Sequence, residues 1–457
     1  MFGELMNPIT KEGGLGAPTR HNIDWKNPSF WNESELNDEL FRVFDICHGC
    51  RRCVSLCDAF PTLFDLIDES TNFDLESVDK KDYTKVVDEC YLCDLCYQTK
   101  CPYVPPHEWN LDFPHLMLRA KALKFKNNKF DLRSKIRNFV LSSTDFIFSI
   151  GNKPLLDKIF NFLLSNKLIK ILLQKFLKIH HAAALPKFDS NTIIKRYKNL
   201  KVNNIEVKST KTTTGKVKLF ATCYCSFSEP EISEDLVKVF QHNEILVELC
   251  DKENCCGMPK LELGDLAAVE KLKDKNIDRL YEYIEQGWDI VSPVPSCVLM
   301  FKQELPLLFP NDKKVQMIKE KIFDPFEYLS LRDKEGLFKK DFKQKAQNIA
   351  YQPACHQRVQ NLGPKTKELL SYISNENISM IERCSGHDGS YAIKAESFEK
   401  ALKIRRPVIS KINKGEFTNF TSDCPMAAKF IGSGIENEKN VETNNHPISL
   451  IRKSYDI

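Results

Sequence analysis

Between residues 116 and 200 apolar side chains recur at every third or fourth position. Leu168, Leu172 and Phe176, with Ile169, Leu173 and Leu177 beside them, draw an i, i+4 stripe. That period predicts helices across residues 116–201, and Pro154 suits the start of one. Residues 202–216, rich in Lys and Thr and without an apolar run, read as a linker. Past it, β-prone runs at residues 217–221, 245–249, 290–294, 348–351, 378–382 and 417–421 alternate with helical stretches such as residues 265–286, which predicts α/β units. No apolar run approaches the roughly 18 residues of a membrane-crossing helix; residues 168–177 are interrupted by Lys170, Gln174 and Lys175. With 457 residues and 42 % hydrophobic content, the chain can bury several cores, and about three domains are expected.

Seventeen cysteines sharpen the picture: eight between Cys47 and Cys101, six between Cys223 and Cys297, three between Cys355 and Cys424. Residues 1–20 hold Gly and Pro but no apolar targeting core, so a reduced, cytoplasmic setting is expected and the grouped thiols imply metal. Cys47, Cys50, Cys53 and Cys57 run C-x2-C-x2-C-x3-C, and Cys90, Cys93, Cys96 and Cys101 run C-x2-C-x2-C-x4-C, followed by Pro102. Three thiolates two residues apart can wrap three irons of one cubane, while the fourth, beyond a turn, reaches the other cluster. Two [4Fe–4S] clusters are expected, one on Cys47, Cys50, Cys53 and Cys101, the other on Cys90, Cys93, Cys96 and Cys57. The extra residue before Cys101 should lengthen a turn without removing a ligand. Zinc is the alternative occupant, although it favours two C-x2-C pairs separated by a longer loop. His48 is expected at the surface or behind the ligands.

Each strand expected past the linker is followed within a few residues by cysteine: Cys223, Cys250 with Cys255 and Cys256, Cys297, Cys355, Cys384 and Cys424. The gaps repeat, 32 then 42 residues from Cys223 through Cys255 to Cys297, and 29 then 40 from Cys355 through Cys384 to Cys424, which reads as an internal duplication. Cysteines at the carboxyl ends of parallel strands converge on one rim of the sheet, where open α/β folds bind ligands. Cys250 ends a β-prone run and reads as a small core residue.

Cys255-Cys256-Gly257, preceded by Cys223 and Cys225 and followed by Cys297, resembles the CCG domain that occurs twice in heterodisulfide reductase and in the iron–sulfur subunit of anaerobic glycerol-3-phosphate dehydrogenase. The whole order of motifs is similar to that family, and so are Leu185-Pro186-Lys187 after His180-His181 and the Cys101-Pro102-Tyr103-Val104-Pro105-Pro106-His107-Glu108-Trp109 stretch. The second half departs from it. The family's domain ends in C-x2-C, whereas here Cys297 is followed by Met300 and Cys424 by Ala427, and the second double cysteine has become Cys384-Ser385-Gly386, with His387 and Asp388 beyond. Cys223, Cys225, Cys255, Cys256 and Cys297 are candidates for a third cluster. Cys355, Cys384 and Cys424, with His356 and His387 as nitrogen donors, could hold a cluster or zinc, or the second site is vestigial.

Charge is unevenly spread. Between His115 and Leu200 stand 18 Lys and Arg against 4 Asp and Glu, inside a chain whose net charge is only +4. Amphipathic helices of this kind lie well at an anionic membrane surface, with Phe160, Phe162, Leu163 and Leu164 dipping among the headgroups. The resemblance implies the same, with quinone as an acceptor and a peripheral place at the inner face of the cytoplasmic membrane. The other reading is a connector whose stripe packs on the cluster domains. Nucleic-acid binding is not expected, for want of a motif or interleaved aromatics. Gly13-Gly14-Leu15-Gly16 lacks a flanking strand and helix, so no dinucleotide fingerprint appears.

The expected whole is a multidomain α+β and α/β protein. A ferredoxin-like α-helical domain occupies residues 1–115, a basic helical segment 116–201 and a linker 202–216. A first CCG-type repeat follows at 217–340, a second, degenerate one at 341–435 and a tail at 436–457. The expected function is a single-electron relay between a partner, a flavoprotein dehydrogenase or a diiron protein, and an acceptor. The alternatives are a reductase of disulfide or peroxide-derived substrates acting at the first CCG repeat, and a scaffold for membrane or partner docking.

Overall fold

The computed structural model describes residues 18–200, 205–346, 348–376 and 378–457. The Gly13–Gly16 run and residues 201–204 around the start of the expected linker lie outside them.

One compact unit comprises Met1–Lys129 with Leu261–Leu266 and Leu307–Pro310. Its frame is helical: α1 (Glu33–Cys50), α2 (Ala59–Asp68), α3 (Tyr83–Glu89) and α4 (Phe113–Lys126). α1 begins where the Asn32 side chain accepts the N–H groups of Ser34 and Glu35, and it ends where Arg51 turns left-handed at φ 49°. Its buried Leu36, Leu40, Val43 and Phe44 keep the helical period. Phe44 meets Tyr83 edge-on at 5.2 Å, and Phe60 of α2 lies 4.7 Å from Phe113 of α4. α4 runs unbroken across the boundary expected at residue 115, so its basic last turn belongs to this unit. Residues 261–266 press against α4 because Gly264, at φ 84°, has no Cβ to meet the Lys121 carbonyl carbon at 2.5 Å.

The second unit comprises Phe130–Lys260, Ala267–Pro306 and Asn311–Ile457. It opens with four short helices, α5 (Leu132–Ser142), α6 (Thr144–Gly151), α7 (Leu156–Ser165) and α8 (Lys167–Leu177), packed one on another. The apolar stripe of α8 faces outward: Leu168 is 71 % and Phe176 57 % exposed, and the helix buries no residue. Of the 18 large apolar side chains exposed among the described residues, 13 lie between Leu132 and Ile194. No helix among the described residues is long and apolar enough to cross a membrane.

Two four-stranded parallel sheets follow. The first joins β1 (Lys216–Leu219), β2 (Leu246–Leu249), β3 (Asp289–Val291) and β4 (Ile322–Phe323) in the order β2-β1-β3-β4, with Leu219 opposite both Leu249 and Val291. The second joins β5 (Ile349–Gln352), β6 (Ser379–Met380), β7 (Asn419–Ser422) and β8 (Glu442–Asn444) in the order β6-β5-β7-β8, with Tyr351 opposite Met380 and Thr421. The same strand order twice is the duplication that the sequence predicts. β4 and β8 have no counterpart among the expected strands: at two and three residues they are too short to show a period, and Glu-Thr-Asn is not β-prone. The expected tail is therefore not one. Residues 442–444 pair with β7, and the last helix, Pro447–Tyr455, buries Ile448, Leu450 and Ile451.

Candidate metal centres

In the first unit, Cys47 and Cys50 stand one turn apart at the end of α1, and Cys53 follows the left-handed Arg51. Cys57 lies just ahead of α2, where its sulfur accepts the N–H groups of Ala59 and Phe60. Cys90, Cys93 and Cys96 are buried, with Leu92 and Asp94 left-handed between them. The extra residue before Cys101 is taken up in a π-turn, Cys96–Lys100, closed by the Cys101 N–H on the Cys96 carbonyl at 2.8 Å. The turn is longer by one residue, and Cys101 still reaches the first triplet.

The electrostatic neighbours of each thiol show what has been gathered. Burial first, then Cys101, Cys53 and Cys50, lifts the Cys47 thiol well above its ordinary range. Cys53 is pushed up to about 12 by burial and then by Cys101 and Cys50, against Lys100 and Arg52. Cys57 is raised by burial and then by Cys90, and Cys96 by burial and then by Cys53, Cys90 and Cys57. Buried thiols that hold one another's protons on become stable thiolates only beside a strong positive charge, and an all-sulfur donor set fits an iron–sulfur core. Among the described residues no group of three or more His, Cys, Asp or Glu side chains is placed to hold a single metal ion.

One feature here had no signal in the spacing. Arg20 pairs with Asp94, between Cys93 and Cys96, and with Asp112 at 2.8 Å, and lies 4.6 Å over the Tyr97 ring. Burial would raise Asp112, but Arg20 and His115 hold it well below the usual carboxylate range. His48 is half-buried and shares a hydrogen bond with Arg51 at 3.0 Å.

At the rim of the first sheet the free thiols of Cys223 and Cys256 both hydrogen-bond with Cys255, and Cys256 also hydrogen-bonds with Cys297. These contacts hold Cys255 well below an ordinary thiol and push Cys223 and Cys256 well above one. The Cys255 loop is clasped by Asn276, whose Nδ2 donates to the Cys255 carbonyl at 3.1 Å while its Oδ1 accepts the Asn254 N–H at 2.9 Å. Cys225 is fully buried outside this sulfur chain, raised by burial and then by Glu229, Cys297 and Cys424, so it lies between the two rims. Two residues of α6 also reach the site: Thr144 sits beside Cys223 and Cys255, and Asp145 Oδ2 accepts the Cys255 N–H at 2.7 Å. Burial, then Cys255, raises Asp145 to about 6. Separated from Cys255 by some 110 positions, they left no trace in the cysteine pattern. Cys250, half-buried past β2, is raised by burial and then by Glu253, against Lys218.

At the second rim Cys355, Cys384 and Cys424 come together with Asp388. Burial first, then Asp388, Cys384 and Cys424, raises Cys355. Cys424 is raised to about 11 by burial, against the N–H groups of Ala427 and Met426, and burial raises Asp388 to about 6 against hydrogen bonds from Cys384 and Cys355. His387 does not join them. Its imidazole is buried, 5.9 Å from the Phe430 ring, with neither nitrogen hydrogen-bonded, and is lowered to about 4 by burial. His356 instead shares a hydrogen bond with Ser296 at 2.8 Å.

The similar gaps that pair Cys297 with Cys424 are misleading. Cys424 is the N-cap of the helix Pro425–Gly432, and the N-cap of the corresponding helix, Pro295–Leu299, is Val294. In this frame Val294-Pro295-Ser296-Cys297 lies over Cys424-Pro425-Met426-Ala427. One repeat keeps the second sulfur of a C-x2-C pair and the other keeps the first.

Rim and sheet together define the class: two parallel α/β repeats, each with cysteines beyond its strand ends, and residues 217–302 and 349–426 both match the cysteine-rich CCG domain. Among particular relatives, the chain is 26 % identical over 312 residues to a subunit of anaerobic glycerol-3-phosphate dehydrogenase from Escherichia coli (strain K12), a match covering 68 % of this chain and 74 % of that one. It is also 24 % identical over 199 residues to lactate utilization protein A of Bacillus licheniformis, covering 41 % and 79 %. With the same protein of Bacillus cereus (strain G9842) it shares 26 % over 232 residues, covering 48 % and 92 %. The resemblance read from the motifs stands.

Proposed function

We propose that this chain is the iron–sulfur electron-transfer subunit of a dehydrogenase complex. The observation that carries the reading is the gathering of the N-terminal thiols, Cys101 and Cys50 beside Cys47 and Cys53, and Cys57 beside Cys90 and Cys96, with Cys53 within reach of Cys57 and Cys96 as well. Cys47, Cys50, Cys53 and Cys101 would hold one [4Fe–4S] cluster and Cys90, Cys93, Cys96 and Cys57 the other, and such groups supply one-electron transfer. The residues around them hold the sulfurs in place, exclude water from Cys90, Cys93 and Cys96, and set fixed charge through Arg20 and Asp94. Cys223, Cys255, Cys256 and Cys297 are the donor set for a further cluster or zinc. A partner would exchange electrons with the N-terminal pair, a dehydrogenase as the name of the glycerol-3-phosphate dehydrogenase relative suggests; a flavoprotein dehydrogenase or a diiron protein would serve. Anaerobically purified chain should carry at least about eight irons and as many acid-labile sulfides, about twelve or more with the further rims filled, and reducible paramagnetic centres. Zinc in place of iron would end this reading.

The acceptor side is read from α5 to α8. Their outward Leu168, Ile171, Leu172 and Phe176 sit among Lys167, Lys170 and Lys175, a surface suited to anionic headgroups and, behind them, to quinone. Of the four side chains singled out in the sequence, Phe162 and Leu163 are exposed, while Phe160 and Leu164 are half-buried. The chain would then be cytoplasmic and peripheral to the membrane's inner face. Full-length protein should float with anionic vesicles at low salt. Since each withdrawn apolar side chain costs roughly 1–2 kcal/mol, Leu168→Ser with Phe176→Ser should weaken partitioning by about tenfold or more. Equal flotation of the two proteins would exclude α8 from the contact.

A further inference from the structure

The second rim gathers more than its three cysteines. Asp388 Oδ1 accepts a hydrogen bond from Cys355 Sγ at 3.5 Å and Oδ2 one from Cys384 Sγ at 3.3 Å, and Cys424 lies within electrostatic reach of both Cys355 and Asp388. The loop that delivers this carboxylate, Cys384-Ser385-Gly386-His387-Asp388-Gly389, passes through left-handed backbone at Gly386 (φ 74°), Asp388 (φ 31°) and Gly389 (φ 54°). A Cβ at Gly386 would stand 2.5 Å from the Ala401 carbonyl oxygen, so only glycine lets the loop lie this close to the helix Phe398–Lys414. The Tyr391 N–H on the Asp388 carbonyl at 2.8 Å and the Ala392 N–H on the His387 carbonyl at 3.0 Å close the turn. A tight loop thus holds Asp388 against two thiols.

Counting donors gives the loop its meaning. Where the first rim has Cys256 and Cys297, the second has Ser385 and Ala427, so two sulfurs are missing there. Cys424 at the helix N-cap restores one donor and Asp388 a second. The geometry points to Asp388 as the fourth ligand of the second rim, where a four-iron cluster is held by the thiolates of Cys355, Cys384 and Cys424 and by one carboxylate. This rests on the iron–sulfur reading above. Carboxylate oxygen is a harder and weaker ligand for cluster iron than thiolate. The iron on Asp388 is accordingly the one given up on mild oxidation: a [4Fe–4S]²⁺ cluster passes one electron to an added oxidant such as ferricyanide and releases one Fe²⁺, leaving [3Fe–4S]⁺.

The test uses full-length protein, prepared anaerobically and titrated with ferricyanide in the presence of a chelator, with released iron and the EPR spectrum followed together. Wild type should release about one iron per chain with a matching three-iron signal. Asp388→Cys, which supplies a fourth thiolate, should lower both at least tenfold, and Asp388→Ala should show the three-iron form before oxidant is added or lose the group altogether. Identical release and spectra in all three proteins would overturn the assignment. So would a Cys355→Ser, Cys384→Ser double variant with wild-type iron content, while leaving the N-terminal pair intact. Iron-free wild type would instead overturn the reading on which the assignment rests.

Discussion

Alanine in place of Cys101 should remove the iron held with Cys47, Cys50 and Cys53, although it stands 48 or more positions from all three, and leave the iron beside Cys90, Cys93 and Cys96. Alanine in place of Cys57 does the converse. Each variant should lose about four irons per chain and one of two EPR signals. The expectation follows from the neighbours that burial has assembled: Cys101 is the first sulfur to act on Cys47 and on Cys53, and Cys90 the first to act on Cys57. In a chain whose motifs each closed on themselves, Cys57→Ala would extinguish the signal of Cys47, Cys50 and Cys53. Measuring which signal is lost in each variant decides between crossed and local ligation. Loss of both in either variant would mean that the unit unfolds once one cluster is removed.

The second large effect is on stability. Asp324 ends the first sheet and caps the helix Pro325–Lys334, accepting the N–H groups of Phe326 and Glu327 through Oδ1. Its Oδ2 is buried without a partner, and burial together with Asp423 of the second repeat raises it to about 8. Asp423 is raised less, to about 6, because Tyr351, Thr366 and the Ala354 N–H all donate to it. The proton of this pair therefore rests on Asp324. A carboxyl whose folded pKa lies above its unfolded value adds stability that is whole below about pH 4 and is lost as pH climbs to about 8. Asp324→Asn keeps the cap and cannot ionise. It should match the wild type near pH 4 and exceed it at pH 9 by an amount on the order of 2–4 kcal/mol. Urea unfolding of both proteins across that range measures the difference, and parallel profiles would show that the site is solvated.

Much of the site could be read before any fold was known, because ligand spacing is local chemistry. Thiolates two residues apart and a fourth beyond a turn are the donors a cluster would ask for wherever the domain places them, and the irregular C-x4-C is taken up in a wider turn. The β-prone runs followed by cysteine likewise announced parallel strands with a loaded rim. Where the reading went astray, the cause was non-local. Similar gaps paired Cys297 with Cys424, yet helix caps align residues by geometry, and Val294 is the true counterpart. His387 was read as a nitrogen donor, but the backbone of a glycine-bracketed loop turns its imidazole toward Phe430 and the carboxylate of Asp388 toward sulfur.

By its own spacing and period, then, the chain determined two four-cysteine motifs, a basic amphipathic stretch and a duplicated α/β half, since each depends on residues a few positions apart. Only the tertiary structure decided which thiols share a site, that Thr144, Asp145 and Arg20 stand beside them, and that the stripe of α8 faces outward. Those are contacts across tens to hundreds of residues. They arise from how buried surfaces dock, and no local pattern records that.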